Sequence, residues 1–247
     1  MTSPATAKSV AGIPAREPVV ELARRGIVAF TTTRVHGDFS LAEPAHVAAN
    51  SPRWTELQNS LEPGPAGLVS AVQVHGEEVA THRDVWTGWR RIEGVDAHII
   101  TAARGAAAVT IADCIPVFVA HPSGAVAMVH AGWRGTAAQL LPKVIAAMKL
   151  PSAELVIHLG PGICGRCYEV GPDVYERLTG WQTIRHRHVD LRALLAEQAK
   201  QAGVVEVSAS AWCTKCDCDR FYSHRAGDAG RQIAVIVAGG GDSPPFP

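Results

Sequence analysis

Short runs of small and β-branched residues, broken every few positions by glycine, proline or polar turns, dominate this chain. Read for period two and for bounded apolar runs, the pattern predicts strands at 26–33, 68–74, 97–101, 106–112, 115–120, 125–129, 154–159, 204–208 and 233–238. Residues 78–82 are expected to continue the second of these after a turn. Helical spacing is rarer. Ala137, Leu140, Leu141, Val144, Ile145 and Met148 predict a helix from Thr136 to near Leu150. Asp190 as N-cap and Gly203 as stop bracket a second, and shorter helices are expected at 52–61 and 173–178. Residues 34–38 and 84–96 read as loops, the latter carrying Trp86 and Trp89. Strands alternate with helices, but several join through tight turns. The expected fold class is therefore mixed α/β (α+β), a single-domain layered sandwich with a mixed β-sheet and flanking helices.

Composition narrows the classes. The chain has 247 residues, 47% hydrophobic and 19% charged, with a formal net charge of +0. That length can bury a substantial core. Zero net charge argues against a nucleic-acid partner held by bulk electrostatics, and no apolar run is long enough to span a bilayer. Residues 1–18 mix Ala, Ser, Pro and charges without the apolar centre of an export signal. They read as a disordered lead-in to one catalytic domain, 19–247, of a cytoplasmic protein. In that setting the six cysteines are read as free thiols or metal ligands.

Candidate chemistry collects where strands end. His75 follows an apolar run and precedes Gly76; Cys114 follows another and precedes Ile115-Pro116; His130 closes a third before Ala131-Gly132. If those strands are neighbours, the three meet at one rim of the sheet. Two imidazoles and a thiolate suit zinc or copper, and three protein ligands leave one position open, as in catalytic zinc. The same residues also fit a small buried cysteine with two hydrogen-bonded histidines, or a Cys–His nucleophile pair. After His130, Trp133, Arg134 and Gly135 lie at a strand-to-helix turn suited to an anion. Arg134 also fits a surface ion pair, and Asp113 either orients a ligand, takes a proton or caps a turn. The units Cys164-x-x-Cys167 and Cys213-x-x-Cys216, with Cys218 nearby, fit either free thiols or a second, structural metal site, although their separation exceeds that of compact zinc ribbons.

Several segments resemble one known family in order and context: Gln73-Val74-His75-Gly76, Ala112-Asp113-Cys114-Ile115-Pro116 and His130-Ala131-Gly132-Trp133-Arg134-Gly135. Gly160-Pro161-Gly162-Ile163, Tyr168-Glu169-Val170-Gly171, Cys213-Thr214, residues 221–225 and residues 227–231 extend the likeness over about 26–238. This is the YfiH-like, or laccase-domain (multicopper polyphenol oxidoreductase), family, now viewed as purine nucleoside phosphorylases. The resemblance implies a zinc ion on His75, Cys114 and His130. It also implies phosphorolysis of adenosine, inosine and S-methyl-5'-thioadenosine, with deamination of adenosine at the same place. Purine nucleosides and phosphate are then the partners, with no nucleic acid and no membrane. Cys114, His75, His130 and Asp113 are the expected catalytic set; Arg34, Arg134, Gly135 and Trp133 are expected to bind substrate or phosphate. The segment Thr33-Arg34-Val35-His36-Gly37 keeps the family's arginine but has His36 for a glycine, and Ser40-Leu41-Ala42-Glu43-Pro44 also departs from the family's pattern. Those departures bear on substrate range rather than on the metal. The alternatives are a copper-dependent polyphenol oxidase, for which the chain offers a single H-x-H pair, His186-x-His188, and a non-catalytic metal-binding, cell-wall-associated factor.

Overall fold

The computed structural model describes residues 14–41, 44–61 and 67–239. Two six-stranded mixed sheets form its middle. The first runs, in spatial order, β1 (Arg16–Pro18), β2 (Ala29–Thr32), β14 (Gln232–Val237), β7 (Gly105–Ile111), β3 (Gly67–Val72), β5 (Gly88–Glu93). The second runs β13 (Glu206–Ala209), β10 (Val156–Leu159), β8 (Ile115–Ala120), β9 (Val126–Ala131), β6 (Ala97–Ile100), β4 (Val79–His82). A two-stranded ribbon, β11 (Glu169–Val170) with β12 (Arg187–His188), stands apart.

Alternation along the central strands stacks these sheets, because successive side chains leave opposite faces. In β7, Ala107, Val109 and Ile111 meet Phe118, Val126 and Met128 of the second sheet, and Ala234 and Ile236 of β14 join them. The opposite face of β7 and β14 sends Ala106, Ala108, Ile233 and Val235 outward onto Trp54, Leu57 and Leu61. Trp54 and Leu57 belong to helix α2 (Pro44–Asn59). On the far side of the second sheet, Val117, Val119, Ala127 and Val129 are covered by α4 (Leu140–Met148) and α6 (Leu191–Gln201). The result is four layers: helix, sheet, sheet, helices. Helices α1 (Val20–Ala23), α3 (Trp133–Ala137) and α5 (Pro172–Thr179) complete the chain. No helix among the described residues is long and apolar enough to cross a membrane.

Several expectations change. Within the expected mixed α/β class there are two mixed sheets instead of one, and 78–82 does not extend the strand before it: β3 and β4 lie in different sheets. The loop expected at 84–96 contains β5, an edge strand whose Arg90, Arg91 and Glu93 mask its pairing with β3. The helix expected from Thr136 starts earlier, at Trp133, and breaks at Gln139, whose φ is 60°. Helix α2 begins before 52 and carries Pro52 inside, because burial of Trp54 and Leu57 outweighs the proline's penalty. Within the segment expected as a lead-in, 1–18, Arg16–Pro18 instead pair with β2; residues 1–13 lie outside the described ones. Asp190 caps α6 as expected, its carboxylate accepting from the amides of Arg192 and Ala193.

Phe118, fully buried between the sheets, anchors their stacking. Phe118→Ala is expected to cost about 3–5 kcal/mol in urea unfolding, while exposed Val85→Ala stays within about 0.5 kcal/mol. A near-neutral Phe118→Ala would contradict the stacking described.

Candidate active site

Strands β3, β5 and β7 run parallel, so their C-terminal ends lie on one side of the first sheet. From each end the chain crosses to the second sheet. Those crossings carry His75, Asp96 and Cys114 respectively. The fourth participant, His130, arrives on β9, opposite Pro116 of β8. The carboxyl ends of strands are where α/β proteins gather ligands, and here the seam between two sheets does the gathering. One imidazole nitrogen from His75, one from His130 and Cys114 Sγ all lie within 4.8 Å of one another. The two imidazole rings stand edge to face, centroids 4.8 Å apart. Gly132 makes room for them: a Cβ there would come 2.9 Å from Cys114 Sγ and 3.3 Å from His75 Cδ2.

Asp96, which sequence reading passed over inside a presumed loop, organises the group. Its fully buried carboxylate accepts from His130 Nδ1 at 2.8 Å and from the backbone amides of Val74, His75 and Gly76 at 3.2, 3.0 and 2.7 Å. These bonds hold His75 at φ 57°, a left-handed conformation costly to a residue with a side chain. They also occupy His130 Nδ1, leaving Nε2 as the ligand-type nitrogen, the second-sphere pattern common to metal-bound histidines. Burial disfavours the Asp96 charge, yet the His130 bond and the amides keep its pKa below the ordinary value.

The thiol and imidazole polarise each other. Burial opposes ionisation of Cys114, but the His130 charge and bonds from both imidazoles bring its pKa down to about 6. Burial likewise opposes charge on His130, while the Cys114 thiolate and the Asp96 bond raise it to about 9. At neutral pH the metal-free group is thus a thiolate–imidazolium pair. Its donors fit a soft or borderline divalent ion: thiolate, two imidazoles, and a glycine where a side chain would collide.

The remaining expected residues divide. Trp133 and Arg134 line the cavity beside the group, with the guanidinium 4.4 Å above the indole. Asp113 lines it too, at φ 87°, but its carboxylate accepts from Thr214 Oγ1 at 2.6 Å and from the Arg225 amide at 2.7 Å. Those bonds make it a brace between the Cys114 turn and the C-terminal loops. Arg34 is elsewhere: it pairs with Asp228, donates to the Phe221 carbonyl at 2.9 Å and is absent from the cavity wall. Gly135 sits inside α3, packed where a Cβ would come within 3.3 Å of the Gly76 carbonyl and of Leu140, and does not face the cavity. With α3 only five residues long, the expected anion-binding helix start is reduced to Arg134 and Trp133.

The cavity has a volume of about 630 Å³, in the range of small-molecule sites. Its wall carries four arginines, Arg91, Arg134, Arg225 and Arg231. Among the described residues none of the four forms a salt bridge with a carboxylate. Arg91, Arg225 and Arg231 instead donate to backbone carbonyls, which position the cations without cancelling them. Arg91 lay unassigned in the presumed loop; Arg225 and Arg231 lay unassigned within C-terminal motifs. Tyr168 also lines the space, its phenol kept protonated by burial and by the nearby Cys114 charge, with a pKa of about 12.

A layered α/β protein with a Cys/His/His centre at the seam of two sheets is the class so defined. The chain belongs to the family described as multi-copper polyphenol oxidoreductase laccase, which matches residues 34–239. It is 36% identical over 210 residues to a Streptomyces coelicolor protein named purine nucleoside phosphorylase, covering 78% of this chain and 83% of that one. A protein from an unknown prokaryotic organism named adenosine deaminase is 35% identical over 155 residues, 54% of this chain and 58% of that one. The fold matches the crystal structure of the Bacillus licheniformis hypothetical protein YfiH, with TM-score 0.78 and 20% identity, over 92% of this chain and 97% of that one.

In metal-free protein, alkylation of Cys114 by iodoacetamide, read on its own peptide by mass spectrometry, is expected to rise through a midpoint near pH 6, since its pKa is about 6. Asp96→Asn should move that midpoint upward by weakening the imidazolium beside the thiol. A wild-type midpoint near the ordinary thiol value of about 8.5 would contradict the pairing.

Proposed function

We propose that this protein is a zinc-dependent purine nucleoside phosphorylase. It takes adenosine, inosine or S-methyl-5'-thioadenosine with phosphate to the free base and the ribose 1-phosphate derivative, and it deaminates adenosine at the same site. The observation that carries this reading is a three-donor soft-metal group opening onto a cavity with four arginines that form no salt bridge with a described carboxylate. The names of the relatives point the same way.

His75, Cys114 and His130 would hold the zinc, and the ion would supply Lewis acidity at the cavity floor. The rest falls to the chain's own side chains. Arg134 and the cations across the cavity bind the phosphate dianion and fix it beside the ribose C1'. Trp133, half-buried on the wall, offers a face on which a purine ring stacks. As the glycosidic bond breaks, its electron pair leaves with the base and positive charge grows on the sugar. The phosphate held there offsets that charge and an oxygen of it closes the new bond to C1'. Tyr168, protonated throughout the neutral range, is placed to donate to the departing base rather than to accept from it. Asp113 contributes by bracing, since both its oxygens are already engaged.

A copper relay is less well supported. The family description speaks of a laccase, but His186 and His188 stand exposed near β12, outside both groups of potential metal ligands found among the described residues.

Incubation with adenosine is expected to release adenine only when phosphate is present, and to form inosine without it. Arg134→Met should raise the KM for phosphate by about 10-fold or more while leaving bound zinc unchanged. Absence of both products, with copper-dependent oxidation of phenols instead, would overturn the proposal.

A further inference from the structure

A second cluster of metal-ligating side chains lies outside the site just described. The sulfurs of Cys164, Cys167, Cys213 and Cys216 all lie within 4.8 Å of one another. A tetrahedron of thiolates at the usual zinc–sulfur bond length has edges of about 3.8 Å, so the four are already gathered to nearly the right size. Cys167 and Cys216 Sγ stand 3.4 Å apart, too far for a disulfide bond of about 2.05 Å. All six cysteines of the chain are free.

Two further features belong to a thiolate cage rather than to four incidental thiols. The backbone amides of Cys164 and Cys216 both point at Cys213 Sγ, at 3.2 and 3.4 Å. Amides directed at one sulfur stabilise negative charge on it, as the outer sphere of a metal–thiolate site does. The folded chain also removes the objection that the two C-x-x-C units are far apart in sequence. Gly162 and Cys213 form a parallel β-bridge, and the Thr214 amide donates to the Gly162 carbonyl at 3.2 Å. That bridge lays one C-x-x-C turn against the other.

We propose that Cys164, Cys167, Cys213 and Cys216 form a second, structural site for one tetrahedrally bound zinc ion. Four protein thiolates fill the coordination shell, so the site is closed and its work is mechanical. It clasps a loop that lines the cavity to a second loop that braces it. The first delivers Ile163 and Tyr168; the second delivers Thr214, which bonds Asp113 beside Cys114. Cys218, exposed and outside the cluster, is not a ligand.

The test uses the full chain, purified without chelators, with zinc per chain read by elemental analysis and by native mass spectrometry. Two zinc ions are expected in the wild type and in Cys218→Ser, and one in Cys216→Ser, whose altered side chain is exposed. Cys216→Ser should also be cut faster by trypsin after Arg166 and Lys215, which lie within the two turns, and melt lower by about 5 °C or more. Cobalt in place of zinc should give the thiolate charge-transfer bands of a four-sulfur tetrahedral site, and these should persist in His75→Ala, where the other centre is impaired. Zinc-independent tryptic resistance, one zinc in the wild type with Cys164, Cys167, Cys213 and Cys216 all alkylatable, or an intact mass showing a disulfide in this cluster would each overturn the proposal. None of these readouts depends on nucleoside turnover, so the phosphorylase reading stands or falls separately.

Discussion

One buried carboxylate holds the functional region together. Asp96 sits in the crossing after β5 and reaches another crossing and a strand at once: it accepts three consecutive amides from the turn after β3 and fixes the imidazole near the end of β9. A fully buried carboxylate with fewer partners would be strongly destabilising. Satisfied four times, it instead fixes a left-handed histidine and a single ring orientation. The geometry of His75, Cys114 and His130 at the seam is therefore a consequence of where the first sheet's parallel strands end, and of the acidic side chain that ties those ends to the second sheet.

The cavity follows the same logic. Bonds to carbonyls place Arg91, Arg225 and Arg231 around it, and Arg134 lies over Trp133. A set of cations without carboxylate partners is costly unless something negative completes it, and the anionic co-substrate proposed above would do so. Asp113 shows a different use of an acidic residue: beside Cys114, its carboxylate accepts from the Thr214 hydroxyl and the Arg225 amide, which ties the Cys114 turn to the C-terminal loops.

Much of this was legible in the chain. Nearly every central strand announces itself by an apolar run, and His75, Cys114 and His130 stand out because each interrupts such a run at a glycine- or proline-marked turn. What stayed hidden has physical reasons. Strand β5 is an edge strand with a half-solvated face, so its arginines and Glu93 mask the β pattern; Asp96 disappeared with it. Arginines carry no sign of facing inward, because most do not, and only the folded chain separates Arg225 from Arg34. Sequence spacing alone argued against joining the two C-x-x-C units; the bridge between Gly162 and Cys213 is a long-range contact that no local pattern records. Gly135 is closely packed against Gly76 and Leu140, and a glycine needed for close packing looks the same in sequence as one that opens a turn to a ligand.

The most direct test of the central claim is the position of the metal itself. Anomalous diffraction at the zinc edge should place a peak about 2.3 Å from Cys114 Sγ and about 2.0–2.1 Å from one nitrogen each of His75 and His130, with His130 Nδ1 still bonded to Asp96. A map with no peak among these three donors, or with His130 swung off the carboxylate to bind through Nδ1, would contradict the account.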